Sequence, residues 1–340
     1  MKNILVTGGA GYIGSHIVRE LEESGFRAIA YDNLSAGHEW AVLSGRLFVG
    51  NIQDTGRLRA VFDYNSIDAV MHMAAHIVVP ESLEKPLQYY SNNVLGTLTL
   101  LNIMKEFGVN KFIFSSTAAV YGIPEVIPVA EDSSLRPINP YGQSKAMAER
   151  ILQDICRAED FRYVTLRYFN AAGADPLTRI GEGKEHATHL ITQCLRTAAG
   201  TKPALKVYGT DYPTFDGTCI RDYIHVNDLS SAHTEALKYL LNGGASDTFN
   251  CGYNQGYSVR EVIHAVKQVT GADFPVQYVN RRPGDPPILI ADSTKIKKKL
   301  GWAPQFNDLH TIIKTAWDWE QKRLAKHKFC RYDGGLFNKS

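Results

Sequence analysis

The chain has 340 residues, of which 44% are hydrophobic and 21% charged, and its formal net charge at pH 7 is +2. This length allows two domains or one large domain, and the composition is that of an ordinary globular protein. A net charge so close to zero does not indicate a nucleic-acid or membrane partner.

Five cysteines are scattered along the chain without a CxxC pair or a histidine cluster beside them. An odd, dispersed set argues against a disulfide framework and against a metal site. No run approaches the ~18 apolar residues of a transmembrane helix, and no signal-peptide pattern is present. We therefore expect a cytoplasmic protein with free thiols at Cys156, Cys194, Cys219, Cys251 and Cys330.

Short apolar runs alternate with segments of helical period over the first half of the chain. Strands are predicted at 3–6, 27–31, 47–49, 69–72, 111–115 and 162–167, and helices at 15–24, 55–64, 85–107 and 141–158. Strands without polar alternation, separated by helices, are typical of a parallel sheet covered on both faces. The sequence therefore predicts an α/β fold with a doubly wound parallel sheet.

The alternation loosens after about residue 167. Loops rich in Gly, Pro and Asp separate predicted helices at 187–199, 226–242, 258–270 and 307–326. We predict a first domain over residues 1–170 and a smaller mixed α/β lobe over 171–340, with segments of the lobe returning to the main sheet.

A glycine-rich loop, Gly8-Gly-Ala-Gly-Tyr-Ile-Gly14, joins the first predicted strand to an amphipathic helix. It satisfies both GxGxxG and GxxGxxG, and in this position it indicates a pyrophosphate held by backbone amides at a helix N-terminus. Asp32 lies eighteen residues past Gly14, at the end of the second strand, where an acid holds an adenosine ribose. The pattern predicts a Rossmann-type site, and the acid favours NAD over NADP.

Two further stretches fit the same edge of the sheet. Residues 50–54 (GNIQD) follow the third strand, and residues 73–76 (MAAH) follow the fourth. Small residues at the carboxyl end of a strand let a cofactor lie close to the backbone. Core packing of small side chains is the other interpretation of these stretches.

A tyrosine and a lysine stand four residues apart in a predicted helix that begins after Pro140. Positions i and i+4 share a helix face, so Tyr141 and Lys145 can point into one cleft, beside the hydroxyl residues 115–117 that end the fifth strand. A lysine ammonium and a nicotinamide cation would lower the pKa of the phenol by ~1–3 from about 10. We therefore predict that Thr117, Tyr141 and Lys145 are catalytic.

With these motifs the chain resembles the extended short-chain dehydrogenase/reductase family, and within it the epimerases of UDP-hexoses. The matching stretches are TGGAGYIGSH (7–16), YDNLS (31–35), SSTAAVYG (115–122), NPYGQSK (139–145), RYFNAAGADP (167–176), YGTDYPTFDGTCIRDYIHV (208–226) and RRPGDPP (281–287). The resemblance implies reversible C4 epimerisation of UDP-glucose and UDP-galactose with NAD bound throughout. Tyr141 would take the proton of the sugar 4-hydroxyl while C4 gives a hydride to NAD, and the 4-keto sugar would turn over and take the hydride back.

The resemblance also implies which residues bind the two nucleotides. Cofactor contacts are expected from Gly8, Gly11, Tyr12, Ile13, Gly14, Asp32, Asn33, Asn51, Ile52, Met73, Ala74, Ala75, Asn92, Ser115, Tyr141, Lys145 and Tyr168. Contacts with the UDP-hexose are expected from Thr117, Tyr141, Asn170, His189, Leu190, Lys206, Tyr208, Arg221, Arg282, Asp285 and Leu289. The same resemblance implies that the second lobe binds the sugar nucleotide, and that helices 85–107 and 141–158 pair two copies into a homodimer.

Three positions depart from the family pattern. Asn51 stands where an aspartate commonly meets the adenine amino group, and His189 stands where asparagine is frequent. Leu289 aligns with the position that gates the sugar pocket, where a tyrosine is associated with excluding N-acetylated sugars and a small residue with admitting them. Leucine is intermediate, so acceptance of UDP-N-acetylglucosamine stays open.

Three other functions are alternatives to the epimerisation of UDP-glucose and UDP-galactose. A 4,6-dehydratase needs an acid/base pair after the strand-end threonine, but Ala118 and Ala119 stand there. Epimerisation of a UDP-uronic acid or a UDP-N-acetylhexosamine would use the same catalytic residues. A Rossmann-type NAD sensor without turnover would have no need for Thr117, Tyr141 and Lys145 in register.

Overall fold

The computed structural model describes the backbone of residues 1–333 and the side chains of residues 1–325. In chain order the strands are β1 Asn3–Thr7, β2 Arg27–Asp32, β3 Arg46–Val49, β4 Ala69–His72, β5 Lys111–Thr117, β6 Arg162–Tyr168, β7 Asn170–Ala172, β8 Leu205–Tyr208, β9 Ile220–Arg221, β10 Tyr223–His225, β11 Asp247–Cys251, β12 Tyr257–Ser258, β13 Val276–Val279 and β14 Ile288–Leu289. The α-helices are α1 Tyr12–Glu23, α2 Thr55–Asn65, α3 Val79–Glu84, α4 Pro86–Tyr90, α5 Gly96–Glu106, α6 Pro140–Ala158, α7 Leu190–Ala198, α8 Val226–Leu241, α9 Val259–Thr270, α10 Thr294–Leu300 and α11 Leu309–Asp333.

Seven parallel strands form the central sheet, in the order β11-β6-β5-β4-β1-β2-β3. Its middle strands are apolar on both faces, and Ile4, Leu5 and Val6 of β1 have no exposed surface. Such strands need cover on both sides, because either face left in water would expose a row of large apolar side chains. All six predicted strands are present. The seventh, β11, comes from the C-terminal half and pairs with β6.

Helices cover both faces of this sheet, so the prediction of a doubly wound α/β fold is confirmed. On one face, α1 and α8 pack together through residues such as Ile17 and Leu237. On the other face, α2, α5 and α6 contribute Leu58, Leu100 and Leu152 to a second apolar layer. The chain thus buries one core on each side of the strands.

The predicted helix 85–107 is wrong as a continuous α-helix. The structure has α4, then a π-helical segment at Ser91–Leu95, then α5. In the π-helical segment the Asn93 side chain exchanges hydrogen bonds with the backbone N–H and C=O of His76 and donates to the Ser144 hydroxyl. A wider turn is typical of functional sites, and here it joins the end of β4 to α6.

The C-terminal half builds three small sheets, with the pairings β10-β7, β12-β9-β14 and β13-β8. Helices α7, α9 and α11 pack around a third core that includes Cys194, Val262 and Ile313. Two elements of this half, α8 and β11, lie on the main sheet. The boundary near residue 170 stays a prediction.

Four cysteines among the described side chains are free, whereas Cys330 lies outside them. Within residues 1–325 no group of His, Cys, Asp or Glu side chains is arranged to hold a metal ion. No helix among the described residues combines the length and the apolar composition needed to cross a membrane.

Candidate active site

A deep cleft opens at the carboxyl ends of β1 and β4, where the strand order reverses direction. Ligands of open α/β sheets bind at such a switch point. We call it the cofactor cleft. It is lined by the glycine loop, by the ends of β2, β4, β5 and β6, and by the loop of residues 181–189.

The glycine loop packs so closely against backbone atoms that side chains would not fit at two of its positions. A Cβ added at Gly14 would lie 2.0 Å from the carbonyl oxygen of Gly8, and a Cβ at Gly8 would lie 2.7 Å from the nitrogen of Ala74. Gly8 also has a positive φ of 71°. No side chain caps α1 at Gly11, so the first amides of the helix are free for an anion. This cradle fits the pyrophosphate of a dinucleotide.

Asp32 is fixed at the end of β2 by two backbone donors. Its carboxylate accepts hydrogen bonds from the N–H of Ala10 at 3.0 Å and of Leu34 at 2.8 Å. One bond ties it to the glycine loop and the other to the loop that follows β2. The carboxylate retains further acceptor capacity and faces the cofactor cleft, as a partner for ribose hydroxyls requires.

Tyr141 and Lys145 are placed by the N-terminus of α6. The helix begins at Pro140, as predicted, and the Asn139 side chain caps it by accepting from the N–H of Gly142 at 2.8 Å. Tyr141 lines the cleft together with Thr117, at the end of β5. Lys145 lies behind them, where its ammonium donates to the Ser115 carbonyl at 2.8 Å and sits 4.9 Å from the centre of the Phe114 ring.

Protein groups alone do not lower the pKa of Tyr141. Burial raises it to about 12, and only the hydrogen bond with Thr117 acts in the opposite direction. Burial also lowers the pKa of Lys145 to about 7, against the attraction of Glu149. The charge of Lys145 is not among the causes that shift the pKa of Tyr141 in the protein alone. The predicted lowering combined the lysine ammonium with the nicotinamide cation, and it stays a prediction for the NAD-bound protein.

A buried ion pair fixes α6 to strand β6 of the central sheet. Glu149, one turn past Lys145, accepts a bidentate pair of hydrogen bonds from Arg167 on β6, the shorter at 2.6 Å. The Ser116 hydroxyl also donates to Glu149. Both charged side chains are almost completely buried, at 4% and 2% exposure. The pair fixes the face of α6 that presents Tyr141 and Lys145.

Most of the predicted nucleotide contacts are brought together. The cleft is lined by the predicted residues Gly8, Gly11, Tyr12, Ile13, Gly14, Asp32, Asn33, Ile52, Met73, Ala74, Ala75, Asn92, Thr117, Tyr141, Tyr168, Asn170 and His189. Leu190 lies in a smaller neighbouring cavity that shares Asn170 and His189 with it. Ser115 lies beneath the surface, where its hydroxyl and that of Tyr168 are 2.6 Å apart.

Asn51 does not line the cleft. Its side-chain oxygen accepts from the N–H of Gln53 at 2.9 Å, and its carbonyl accepts from the Tyr31 hydroxyl at 2.8 Å. Its residue type was already a departure from the family pattern. The Asn51 side chain thus stabilises the turn at residues 51–53 through its bond with Gln53.

The remaining predicted substrate residues lie outside both cavities, on the small sheets and on the loop between β13 and β14. Arg282 stacks 3.5 Å from the centre of the Tyr208 ring, and Arg221 is 3.7 Å from Asp285. Lys206 and Tyr208 lie on β8, and Leu289 pairs with Arg221 in the β9–β14 register. Leu289 is buried in a core cluster with Ala118 and Phe169, the neighbours of Thr117 and Tyr168. These residues stay predicted substrate contacts.

Other lining residues were not predicted as individual contacts, although they belong to stretches that the sequence singled out. They are Tyr31 and Ser35 in YDNLS, Gly50 and His76 in the stretches 50–54 and 73–76, and Phe169 and Ala171 in RYFNAAGADP. The lining residues outside those stretches are Ala36, Gly37, Ile77, Val78, Glu81, Glu182, Lys184, Ala187 and Thr188. The loop 181–189 carries no such motif, because tertiary contacts place it over the cleft. One contact is the 3.1 Å approach of His189 Nδ1 to the Glu182 carboxylate.

The parallel sheet, the glycine cradle with its acid, and the Thr–Tyr–Lys group define a dinucleotide-binding α/β protein of the Rossmann type. The model of the NAD dependent epimerase/dehydratase family matches residues 4–252, and the chain belongs to that family. This membership confirms the predicted family resemblance and the prediction of NAD as the cofactor.

Proteins of known name are similar over nearly the whole chain. A UDP-glucose 4-epimerase of Azospirillum brasilense is 50% identical over 94% of this chain and 92% of its own. The structure of UDP-glucose 4-epimerase from Brucella ovis in complex with NAD has a TM-score of 0.91 and 45% identity, covering 94% of this chain and 98% of that one. The UDP-Glc/GlcNAc 4-epimerase of Campylobacter jejuni has a TM-score of 0.82 and 46% identity, covering 95% and 100%.

Proposed function

We propose that this protein is an isomerase that interconverts UDP-glucose and UDP-galactose at C4 of the hexose. The observation that carries the proposal is the placement of Tyr141 and Thr117 on the wall of the cofactor cleft, with Lys145 buried directly behind them. The similar epimerases support the substrate. NAD, when bound, accepts a hydride from the sugar and returns it.

Each side chain has one task in this reaction. Tyr141 takes the proton of the 4-hydroxyl and returns it, because it is the titratable side chain in the first turn of α6 that lines the cleft together with Thr117. The Thr117 hydroxyl stabilises the phenolate, since its hydrogen bond lowers the pKa of Tyr141. Lys145, whose pKa is about 7, supplies a positive charge that grows as the pH falls through neutrality. Asn170, His189 and Phe169 line the same cleft and would contact the sugar nucleotide.

The same geometry disfavours the rival functions. Ala118 directly follows Thr117 and is buried, so no acid/base pair for dehydration stands at that strand end. An NAD sensor would gain nothing from a lysine ammonium held in a fully buried position, which makes folding less favourable. A catalytic group explains that burial.

The direct test supplies UDP-galactose to the purified protein without added cofactor and measures UDP-glucose. We expect turnover, with kcat falling about 10²–10⁴-fold in Tyr141→Phe and NAD still bound. Tyr64→Phe, which changes an exposed tyrosine far from the cleft, is the matched control. A Tyr141→Phe protein with normal kcat would overturn the proposal.

A second candidate is epimerisation of UDP-N-acetylglucosamine. The Campylobacter jejuni protein is named for both sugars, and Leu289 at the gate position is of intermediate size. Repeating the assay with the N-acetylated pair decides between one substrate range and both. Leu289→Tyr should lower kcat/KM for the N-acetylated sugar selectively if that sugar is accepted.

We further propose that the protein forms a homodimer through α5 and α6. Apolar side chains on these two helices, and on the π-helical segment that leads into α5, are open to water: Leu98 is 36%, Met147 43% and Leu95 52% exposed. A cluster of this kind indicates a protein partner. Sedimentation should give a dimer at micromolar concentration, and Leu98→Glu should convert it to a monomer.

We also propose that the chain is organised into two domains. Residues 1–170 would form the NAD-binding domain with the catalytic helix, and residues 171–340 would form mainly the sugar-nucleotide lobe. With no nucleic-acid or membrane partner expected, we propose a cytoplasmic location. Cell fractionation tests it.

A further inference from the structure

One lysine faces the cofactor cleft from the loop 181–189. Among the described residues that line the cleft, Lys184 is the one lysine or arginine, whereas Asp32, Glu81 and Glu182 carry carboxylates. Its backbone is engaged, because its N–H donates to Glu182 at 3.1 Å and its carbonyl accepts from Arg196 at 2.7 Å. Its ammonium has no hydrogen-bond or ion-pair partner among the side chains of residues 1–325. A half-buried cation in this setting points to an anionic ligand.

Aromatic side chains hold the loop that carries Lys184 in one place. The Trp319 ring donates a hydrogen bond to the Glu182 carbonyl at 3.0 Å. A Cβ on Gly183 would lie 2.7 Å from both the His38 and the Trp40 rings. His38 in turn donates its backbone N–H to the carbonyl of Ala10, in the glycine loop, at 2.9 Å. The loop therefore presents Lys184 from a fixed base that is tied to the glycine loop.

The lining of the cleft brings Lys184 together with the glycine cradle, because Gly8, Gly11, His76 and Lys184 all line it. Burial lowers the pKa of His76, against the charge of Glu81, and the charge of Lys184 acts in the same direction as burial. His76 lies two residues past Ala74, the backbone neighbour of Gly8. Burial, followed by the charge of Glu182, raises the pKa of Tyr12 in the glycine loop. The loop 181–189 and the glycine loop thus line the same cleft, together with the residues that follow β4.

We propose that Lys184 binds the diphosphate group of a nucleotide in the cleft. The cofactor's pyrophosphate is the nearer source of that group, and the diphosphate of the sugar nucleotide is the other. The glycine loop supplies backbone donors to the cleft, and Lys184 adds a point charge from the loop 181–189. This deepens the proposed function, because it rests on NAD being the resident cofactor.

The test compares Lys184→Met and Lys184→Arg with Lys298→Met, which removes the same charge from the exposed face of α10. On the holoenzyme, the rate of NAD release is measured by gel filtration at about 50 and about 300 mM salt, and UDP binding by calorimetry. We expect Lys184→Met to release NAD about tenfold faster, or about 1.4 kcal/mol, with a weaker dependence on salt. Lys184→Arg and Lys298→Met should stay within about twofold of the parent protein.

The two measurements separate the sources of the diphosphate. A raised Kd for UDP with unchanged NAD release supports the site and assigns Lys184 to the sugar nucleotide. Unchanged values for both ligands in Lys184→Met overturn the proposal. Neither measurement involves epimerisation, so this outcome is distinct from a failure of the proposed function.

Discussion

The buried charge of Lys145 makes the folded protein less stable near neutral pH than an apolar side chain would. Burial lowers its pKa from 10.5 to about 7. A difference of this size corresponds to about 5 kcal/mol against folding below pH 7. Lys145→Met fills the same space without a charge but leaves the Ser115 carbonyl without its donor, at a cost of about 1–3 kcal/mol. We therefore expect Lys145→Met to be more stable by roughly 2–4 kcal/mol at pH 6 while losing activity.

The sign of the pH dependence is specific to this cause. The folded-state pKa lies below the unfolded-state value, so the unfolded chain binds more protons between about pH 7 and 10.5. The parent protein gains stability as the pH rises through that window, and the advantage of Lys145→Met shrinks and then reverses. Urea unfolding of both nucleotide-free proteins at about pH 6 and about pH 9.5 measures it, with Lys298→Met as the control. A difference that does not change with pH would refute the reasoning.

Three further predictions follow from the same region. Gly14→Ala places a Cβ 2.0 Å from the Gly8 carbonyl, so NAD should be lost from the purified protein, as absorbance after denaturation will show; a normal NAD content would contradict it. Glu149→Gln leaves the Arg167 guanidinium buried with its charge unbalanced, and urea unfolding should show a loss of about 3–5 kcal/mol. Thr117→Val removes the hydrogen bond that lowers the pKa of Tyr141, so the rise of kcat/KM with pH should move to higher pH, whereas Thr117→Ser should keep its position.

The fold was largely predictable because its signals are local. Short apolar runs without polar alternation indicate the six strands, and β4 was predicted with its observed bounds, Ala69–His72. The break in the predicted helix 85–107 carries no such signal, since nothing in SNNVL differs from an ordinary helical turn. The π-helical turn is set by contacts of Asn93 with His76 and Ser144, which lie 17 and 51 residues away in sequence.

In the site, too, residues in local motifs were predicted, whereas residues placed by tertiary contacts were not. The glycine loop, Asp32 and the Tyr141–Lys145 pair are motifs of short sequence span, and all lie at the cleft or directly behind it. Glu149 and Lys184 were missed, because a carboxylate on a helix and a lysine in a loop are ordinary until the fold shows their neighbours. The rise in the pKa of Tyr141 that burial causes in the protein alone was also missed, since spacing shows which residues are near but not how completely they are buried.

The position of β11 affects how the chain folds during synthesis. Until residues 247–251 leave the ribosome, β6 is an edge strand whose unpaired N–H and C=O groups can capture another chain. Helix α8, which covers α1, emerges only shortly before. A nascent N-terminal half is therefore open to aggregation, and a fragment ending near residue 170 should require a chaperone to stay in solution.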